Sequence, residues 1–141
     1  MTKEETLRVL AILKAAYPAS YNGMTKREAN GTVAVWSMQF NDVPVEVVLM
    51  AVQKLISTNK FPPAISEVKA KIGSIHWEAY EMLSSSNLRE FLSEETKRKY
   101  QRIYDLTKDF KMATASKPTL HQMLEGGYML QLGSGGEQGS E

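Results

Sequence analysis

The chain has 141 residues, with 17 basic and 16 acidic side chains, no cysteine and two histidines. The lack of cysteine excludes disulfide scaffolds and thiolate metal sites, and the length fits one domain with a short appendage. The sequence contains no apolar stretch long enough to span a bilayer, and its N-terminus lacks the apolar region of a signal peptide. We therefore expect a cytoplasmic protein that does not enter a membrane.

Two capping boxes mark the starts of the first two predicted helices. In a capping box, a hydroxyl and a carboxylate three residues apart satisfy each other's backbone donors. Thr2 and Glu5 form the first, and the helix behind it is predicted to end at Tyr17, since Pro18 disfavours the helical conformation before it. A loop is predicted over residues 19–24. Thr25 and Glu28 form the second box.

The second helix carries an apolar stripe at offsets 0, 4, 7 and 11, which is helical spacing. The stripe consists of Ala29, Val33, Trp36 and Phe40. Gly31 lies inside this helix, weakens it by about 1 kcal/mol relative to alanine, and is expected to permit close packing of a neighbour. Trp36, like Trp77 further on, is interpreted as a core residue rather than a platform for stacking bases.

A third helix begins after the break at Pro44, and its apolar residues recur at offsets 0, 3, 4, 7, 10 and 11. Its valines would also suit a strand, but its length and offsets favour a helix, predicted to be the most buried one. An extended connector at residues 59–63 leads to a short fourth helix, which Gly73 is expected to end. Residues 1–73 are thus predicted to form a compact helical N-terminal domain, in an all-α protein.

Residues 74–112 are predicted to be a helical extension. One helix is indicated by Trp77 and ends at residues 84–87, and a longer one begins at Ser93. One face of the longer helix combines Tyr100, Ile103, Thr107 and Phe110. The other face is basic, with Lys97, Arg98, Lys99, Arg102, Lys108 and Lys111.

Two interpretations of that basic face stay open. Clustered cations are what phosphate contacts require, so it could bind nucleic acid or an acidic partner, chiefly through Lys97, Arg98, Lys99 and Arg102. Acidic residues interleave with them, however, and Asp105 with Lys108 fits an ordinary surface pair at i, i+3. A solvated helix face is the simpler interpretation.

Residues 113–141 contain six of the nine glycines and are predicted to be a flexible tail. Apolar residues nevertheless recur in it at offsets 0, 3 and 4, followed by a second apolar group. These candidate partner-binding residues are Leu120, Met123, Leu124, Tyr128, Met129 and Leu130. Such a segment could dock as a short amphipathic element into another protein's groove, or it could fold back onto the helices of its own chain.

A catalytic site is not indicated. His76, beside Trp77 at a helix start, is predicted to be a capping or partly exposed residue, and His121 is interpreted as a partner contact. The glycines between residues 133 and 139 lack the preceding strand and following helix that a phosphate-binding loop needs. We expect no enzymatic activity, no cofactor and no metal site.

Several segments of residues 1–73 together resemble the phage replicative-helicase loader and inhibitor family. The most telling are Leu-Ala-Ile-Leu-Lys-Ala-Ala-Tyr-Pro at residues 10–18 and Lys-Phe-Pro-Pro-Ala-Ile-Ser-Glu-Val-Lys at residues 60–69. Between them lie Tyr-Asn-Gly-Met-Thr at 21–25 and Val-Ala-Val-Trp at 33–36. No motif matches beyond Gly73, so the resemblance covers about half of the chain.

The resemblance implies a helical N-terminal domain and a partly disordered C-terminal region that contacts a hexameric replicative helicase, encoded by the phage or its host. It implies an adaptor without ATPase activity, which holds the helicase inactive and delivers it to the origin through a phage initiator, with any DNA contact indirect or weak. Two alternatives remain: a small DNA-binding initiation protein that uses the basic face at residues 97–111, and a phage inhibitor of another host protein.

Overall fold

The computed structural model describes residues 1–109, and in this part of the chain all regular structure is α-helical. The all-α fold class is therefore confirmed for these residues. The helices are α1 (Lys3–Ala16), α2 (Pro18–Tyr21), α3 (Lys26–Gln39), α4 (Val45–Ile56), α5 (Ile65–Ser84), α6 (Ser86–Arg89) and α7 (Glu94–Thr107). The chain divides into two compact units, Met1–Ile72 and Gly73–Glu141. The predicted tail at 113–141, with Phe110 and Lys111, lies outside the described residues.

Both predicted capping boxes of the first unit are present. The Thr2 hydroxyl accepts from the backbone N–H of Glu5 at 3.1 Å, and the Glu5 carboxylate accepts from the N–H of Thr2 at 2.8 Å. The box at the start of α3 has the same form. Helix α1 ends before Tyr17, as predicted. The loop predicted over 19–24 is wrong in its first part, because Pro18 starts the short helix α2, where its missing N–H costs nothing.

The core of the first unit is centred on α4, which matches the prediction that this helix is the most buried. Its inward residues are Val47, Val48, Ala51, Val52 and Leu55. Fully buried Val9 and Leu13 of α1 and Phe40 at the end of α3 join the same core. Trp36 is only 6% exposed, and its ring lies 5.4 Å from that of Phe40, which confirms its assignment to the core. Burying one such side chain contributes about 1.5–3 kcal/mol.

Polar contacts tie α1 to the other elements of this unit. The buried Thr6 hydroxyl donates to the Thr2 carbonyl at 2.8 Å and accepts from the Ser37 hydroxyl at 3.1 Å, which connects α1 with α3. The Tyr17 hydroxyl donates to the carbonyl of Asn59 at 2.9 Å, so the end of α1 is held against the connector that precedes α5. The bond between Thr6 and Ser37 helps to set how α1 lies against α3, and that arrangement shapes the groove described below.

The fourth predicted helix does not stop at Gly73; α5 continues to Ser84, and the boundary between the two units falls inside it. Gly73 does not have the positive φ of a glycine cap. A glycine in a helix interior costs only about 1 kcal/mol, whereas the buried stripe of Val68, Ile72, Ile75 and Ala79 runs through this point without interruption. The free energy gained by burying this stripe therefore exceeds the cost of a glycine inside the helix.

In the second unit, Ser93 caps α7 by accepting from the N–H of Thr96 at 3.1 Å, as predicted. Ile103 and Thr107 are buried on one face of α7, also as predicted. The preceding helix, α5, ends at Ser84, within the predicted range of 84–87. The short helix α6, which Ser85 caps, follows it and was not predicted. Within residues 1–109, no helix combines the length and apolarity needed to cross a bilayer.

Candidate interaction surfaces

The six partner-binding residues predicted in the tail, from Leu120 to Leu130, lie outside the part of the chain that the structure describes. Their assignment therefore stays a prediction. The structure does place the second candidate site, the basic residues of α7, and it reveals a third candidate, an apolar groove in the first unit. An aromatic cluster around His76 is the fourth feature considered as a functional site.

Helix α7 distributes the predicted basic residues around its circumference. At 100° per residue, Lys97 and Lys99 point about 160° apart, whereas Arg98 and Arg102 lie one turn apart on the same exposed stripe. Lys97 is turned toward Glu94, with 2.9 Å between its Nζ and the carboxylate, and is 29% exposed. The structure thus brings Arg98 and Arg102 together, and exposed Lys99 lies about 60° around the helix from Arg102.

Acidic residues occupy the same exposed side of α7. Helix position places Glu94, Glu95 and Asp105 around the arginine stripe, and Asp109 follows in the turn after α7. The predicted pair of Lys108 and Asp105 is present at 3.9 Å. The hydrogen bond and charge of Lys97, with weaker help from Arg98 and Arg89, lower the pKa of the Glu94 carboxyl, so this acid keeps its negative charge. Residues 73–109 contain six basic and seven acidic side chains, so the face carries mixed charge.

An aromatic cluster joins α5 to α7 inside the second unit. The His76 ring stacks on Tyr104 at 5.4 Å and meets the edge of Trp77 at 5.0 Å, and Trp77 meets Tyr80 at 5.5 Å. His76 lies in the middle of α5 rather than at a helix start, because α5 does not stop at Gly73. His76 is partly exposed, and that part of the prediction is confirmed.

Two hydrogen bonds and burial define the state of the His76 ring. The Thr107 hydroxyl donates to the Ile103 carbonyl at 2.8 Å, and His76 Nδ1 lies 2.8 Å from the same hydroxyl oxygen. A ring protonated at Nδ1 donates to Thr107, and the other neutral tautomer accepts from it. Burial lowers the pKa of His76, which favours the neutral ring. The arrangement is a packed structural junction, with no carboxylate among these contacts to act with the ring in acid–base chemistry.

The third candidate is an apolar groove of about 290 Å³ in the first unit. Helices α1 and α3 form its walls, and the segment that connects them closes one end. Its lining residues are Leu7, Leu10, Ala11, Lys14, Tyr21, Met24, Ala29, Thr32 and Val33. Leu7 is 49% exposed although it is a large apolar side chain.

The groove was not predicted from the sequence. The buried face of α1 contains Val9 and Leu13. A second apolar stripe, with Leu7, Leu10 and Ala11, runs along a neighbouring face of the same helix. That second stripe is the feature of the sequence from which the groove could have been predicted. Among residues 1–109, no group of three or more His, Cys, Asp or Glu side chains is arranged to hold a metal ion.

The first unit matches the model of a known protein family. Residues 1–69 match the family model for the N-terminal domain of phage helicase loader and inhibitor proteins. No curated protein and no solved structure matches the chain significantly. The matched residues coincide with the segment whose motifs resemble that family, and they lie within the first compact unit.

Proposed function

We propose, from the premise that residues 1–69 are the N-terminal domain of the phage helicase loader and inhibitor family, that this chain is a replication adaptor. In this proposal it binds a hexameric replicative helicase in the host cytoplasm, restrains its activity and helps deliver it to the origin through an initiator protein. The chain has no catalytic activity of its own. The match of residues 1–69 is the observation that carries the proposal.

The division of labour along the chain follows the sequence prediction. Residues 1–73 are the folded N-terminal domain, residues 74–112 the helical extension, and residues 113–141 the tail that contributes the helicase contact. We assign that contact to the apolar side chains of the tail, because apolar residues at offsets 0, 3 and 4 suit a short helix that docks into a groove. These residues are Leu120, Met123, Leu124, Tyr128, Met129 and Leu130.

A segment that becomes ordered only when it binds loses conformational entropy, and this loss weakens its binding. The resulting complex can dissociate, which a loader requires because it must release the helicase at the origin. DNA has no direct role in this proposal. The mixed charge of α7 supports that view, since Glu94, Glu95 and Asp105 surround the stripe of Arg98 and Arg102.

The test compares four proteins: the full chain, a chain that ends at Asp109, and the full-length variants Leu124→Asp and Gln122→Asp. Each is mixed with the purified replicative helicase of the phage or its host, and binding is measured by fluorescence anisotropy with ATPase rate as a second readout. Burying one leucine contributes about 1.5–3 kcal/mol. We therefore expect Leu124→Asp to weaken binding by about tenfold to a hundredfold.

Gln122→Asp introduces the same charge in the same segment without removing an apolar contact, so it should bind nearly as the wild type does. The chain that ends at Asp109 should neither bind nor inhibit the helicase. If it binds as tightly as the full chain, the assignment of the contact to the tail is wrong. If no version binds a replicative helicase, the proposed function itself is wrong.

A further inference from the structure

The groove between α1 and α3 leaves apolar surface open on the first unit. Leu7, Leu10 and Ala11 line it from α1, and Ala29 and Val33 line it from α3. The α1 wall from Leu7 to Lys14 is two helical turns long, about 10 Å. A volume of about 290 Å³ lies at the lower limit for small-molecule pockets. It suits two or three apolar anchor side chains of a protein segment better than a cofactor.

The polar side chains that line the groove are Lys14, Tyr21 and Thr32. Lys14 is the charged side chain that lines it, and among residues 1–109 no carboxylate lies within ion-pair distance of Lys14. Lys3 precedes Leu7 by four residues and Glu4 precedes it by three, so one charge of each sign lies on this side of α1. The nearest acid on α3, Glu28, is turned back toward the Thr25 cap, at 3.2 Å between Oε1 and the Thr25 hydroxyl.

Tyr21 adds a neutral donor at the same rim. It lines the groove, and its hydroxyl makes no hydrogen bond to any other residue between 1 and 109, in contrast to Tyr17, which donates to Asn59. Burial, with the neighbouring Tyr17, raises the pKa of Tyr21, so the phenol keeps its proton. An ammonium group and a phenol beside apolar walls are complementary to a carboxylate flanked by apolar side chains.

We propose that this groove is a docking site for an acidic amphipathic helix of a partner protein. Anchors at i, i+3 and i+7 of such a helix span two turns and match the α1 wall. An acidic residue beside the anchors would meet Lys14 and Tyr21. The net charge of +3 over residues 1–72, from nine basic and six acidic side chains, favours an acidic partner at longer range as well.

This site is separate from the proposed helicase contact in the tail, and its test uses no helicase. If the groove does not bind the peptides, the proposed function is unaffected. If the chain does not bind a helicase, the proposal for the groove is unaffected. An adaptor with two binding sites could hold two proteins at once. The groove would supply the second of these sites.

The experiment titrates the isotope-labelled full chain with three designed 14-residue peptides and follows amide shifts by NMR. The first peptide has leucines at i, i+3 and i+7 with glutamates beside them. The second replaces every glutamate with lysine, and the third keeps the composition of the first but scatters the leucines. We expect the first peptide to bind at least tenfold more tightly than the other two, with the largest shifts at Ala11 and Thr32.

Matched substitutions test the location. Ala11 lines the groove and is exposed, so Ala11→Glu should leave the fold intact while reducing affinity for the acidic peptide at least tenfold. Ala34→Glu makes the same change at an exposed site on α3 that does not line the groove, and should have no effect. Lys14→Glu should reverse the preference, so that the lysine peptide binds more tightly than the glutamate peptide.

Four results would overturn the proposal. The acidic and basic peptides could bind equally well, or none of the three could bind. Peptide binding could appear only after residues 110–141 are removed, in which case a segment of the same chain is the occupant. The groove amides could shift with protein concentration alone as the chain dimerises, in which case the occupant is a second copy.

Discussion

Two glycines of the first unit should respond in opposite ways to the same substitution by alanine. Gly31 lies in the interior of α3 on its exposed side, and a Cβ atom placed there meets nothing within 4 Å. Gly23 lies in the turn before α3 with a φ of +81°, a conformation that alanine adopts only with strain. Gly31→Ala should therefore stabilise the unit, and Gly23→Ala should destabilise it.

The magnitudes follow from the two environments. Alanine exceeds glycine in helix propensity by about 1 kcal/mol, and open space at Gly31 means that no packing cost offsets the gain. The equilibrium constant for unfolding should fall about fivefold, and the melting temperature of a unit of this size should rise by about 4–8 °C. At Gly23 the left-handed backbone should cost alanine about 1–2 kcal/mol, although space for its Cβ is also free.

Urea unfolding of the full chain, followed by Trp36 fluorescence, measures both effects. Trp77→Phe is used as the common background, so that the signal comes from the first unit alone. A loss of stability in Gly31→Ala would refute this account. It would show that another surface packs against this side of α3 in solution, which is the close approach expected from the sequence. Equal effects at the two glycines would refute the backbone argument.

Three further predictions concern the second unit, the α3 cap and the arginine stripe of α7. Burial lowers the pKa of His76 in the folded state below its ordinary value of 6.5. The stability of the second unit should therefore fall as pH decreases through about 6.5, because the unfolded chain takes up the proton first. Native-state hydrogen exchange should show this loss, and the loss should be absent in His76→Gln. Thr25→Ala should cost about 1 kcal/mol, since it removes the hydroxyl that accepts from the Glu28 N–H at 3.1 Å, and thermal unfolding should show a lower midpoint. Reversing both Arg98 and Arg102 to glutamate should leave helicase inhibition unchanged; a loss of inhibition together with loss of salt-dependent DNA binding would favour the DNA-binding alternative.

The sequence was sufficient to predict the helices whose limits are set by local chemistry. The two capping boxes depend on residues three positions apart, and the end of α1 depends on Tyr17 and Pro18, so no distant contact was needed to locate them. Gly73 shows the converse. Its local preference indicates a helix end, but burial of Ile72 and Ile75 on either side carries α5 through it, and burial is not a local property.

The candidate surfaces were less predictable for the same reason. A helix face is basic or mixed according to where each side chain points, and Lys97 turns away from the stripe of Arg98 and Arg102 to pair with Glu94. The groove depends on how α1 lies against α3, which contacts such as that between Thr6 and Ser37 determine. A second apolar stripe on α1 is visible in the sequence, but whether a neighbour covers it is not.

The central claim is that this chain is an adaptor that binds and restrains a replicative helicase. Its most direct test is the ATPase rate of the purified helicase hexamer during titration with the full chain, with complex formation followed in parallel by size-exclusion chromatography and light scattering. The account predicts a stable complex in the presence of nucleotide and an ATPase rate that falls to a plateau as the chain saturates the hexamer. An unchanged ATPase rate with no complex, at concentrations where the chain is folded, would contradict it.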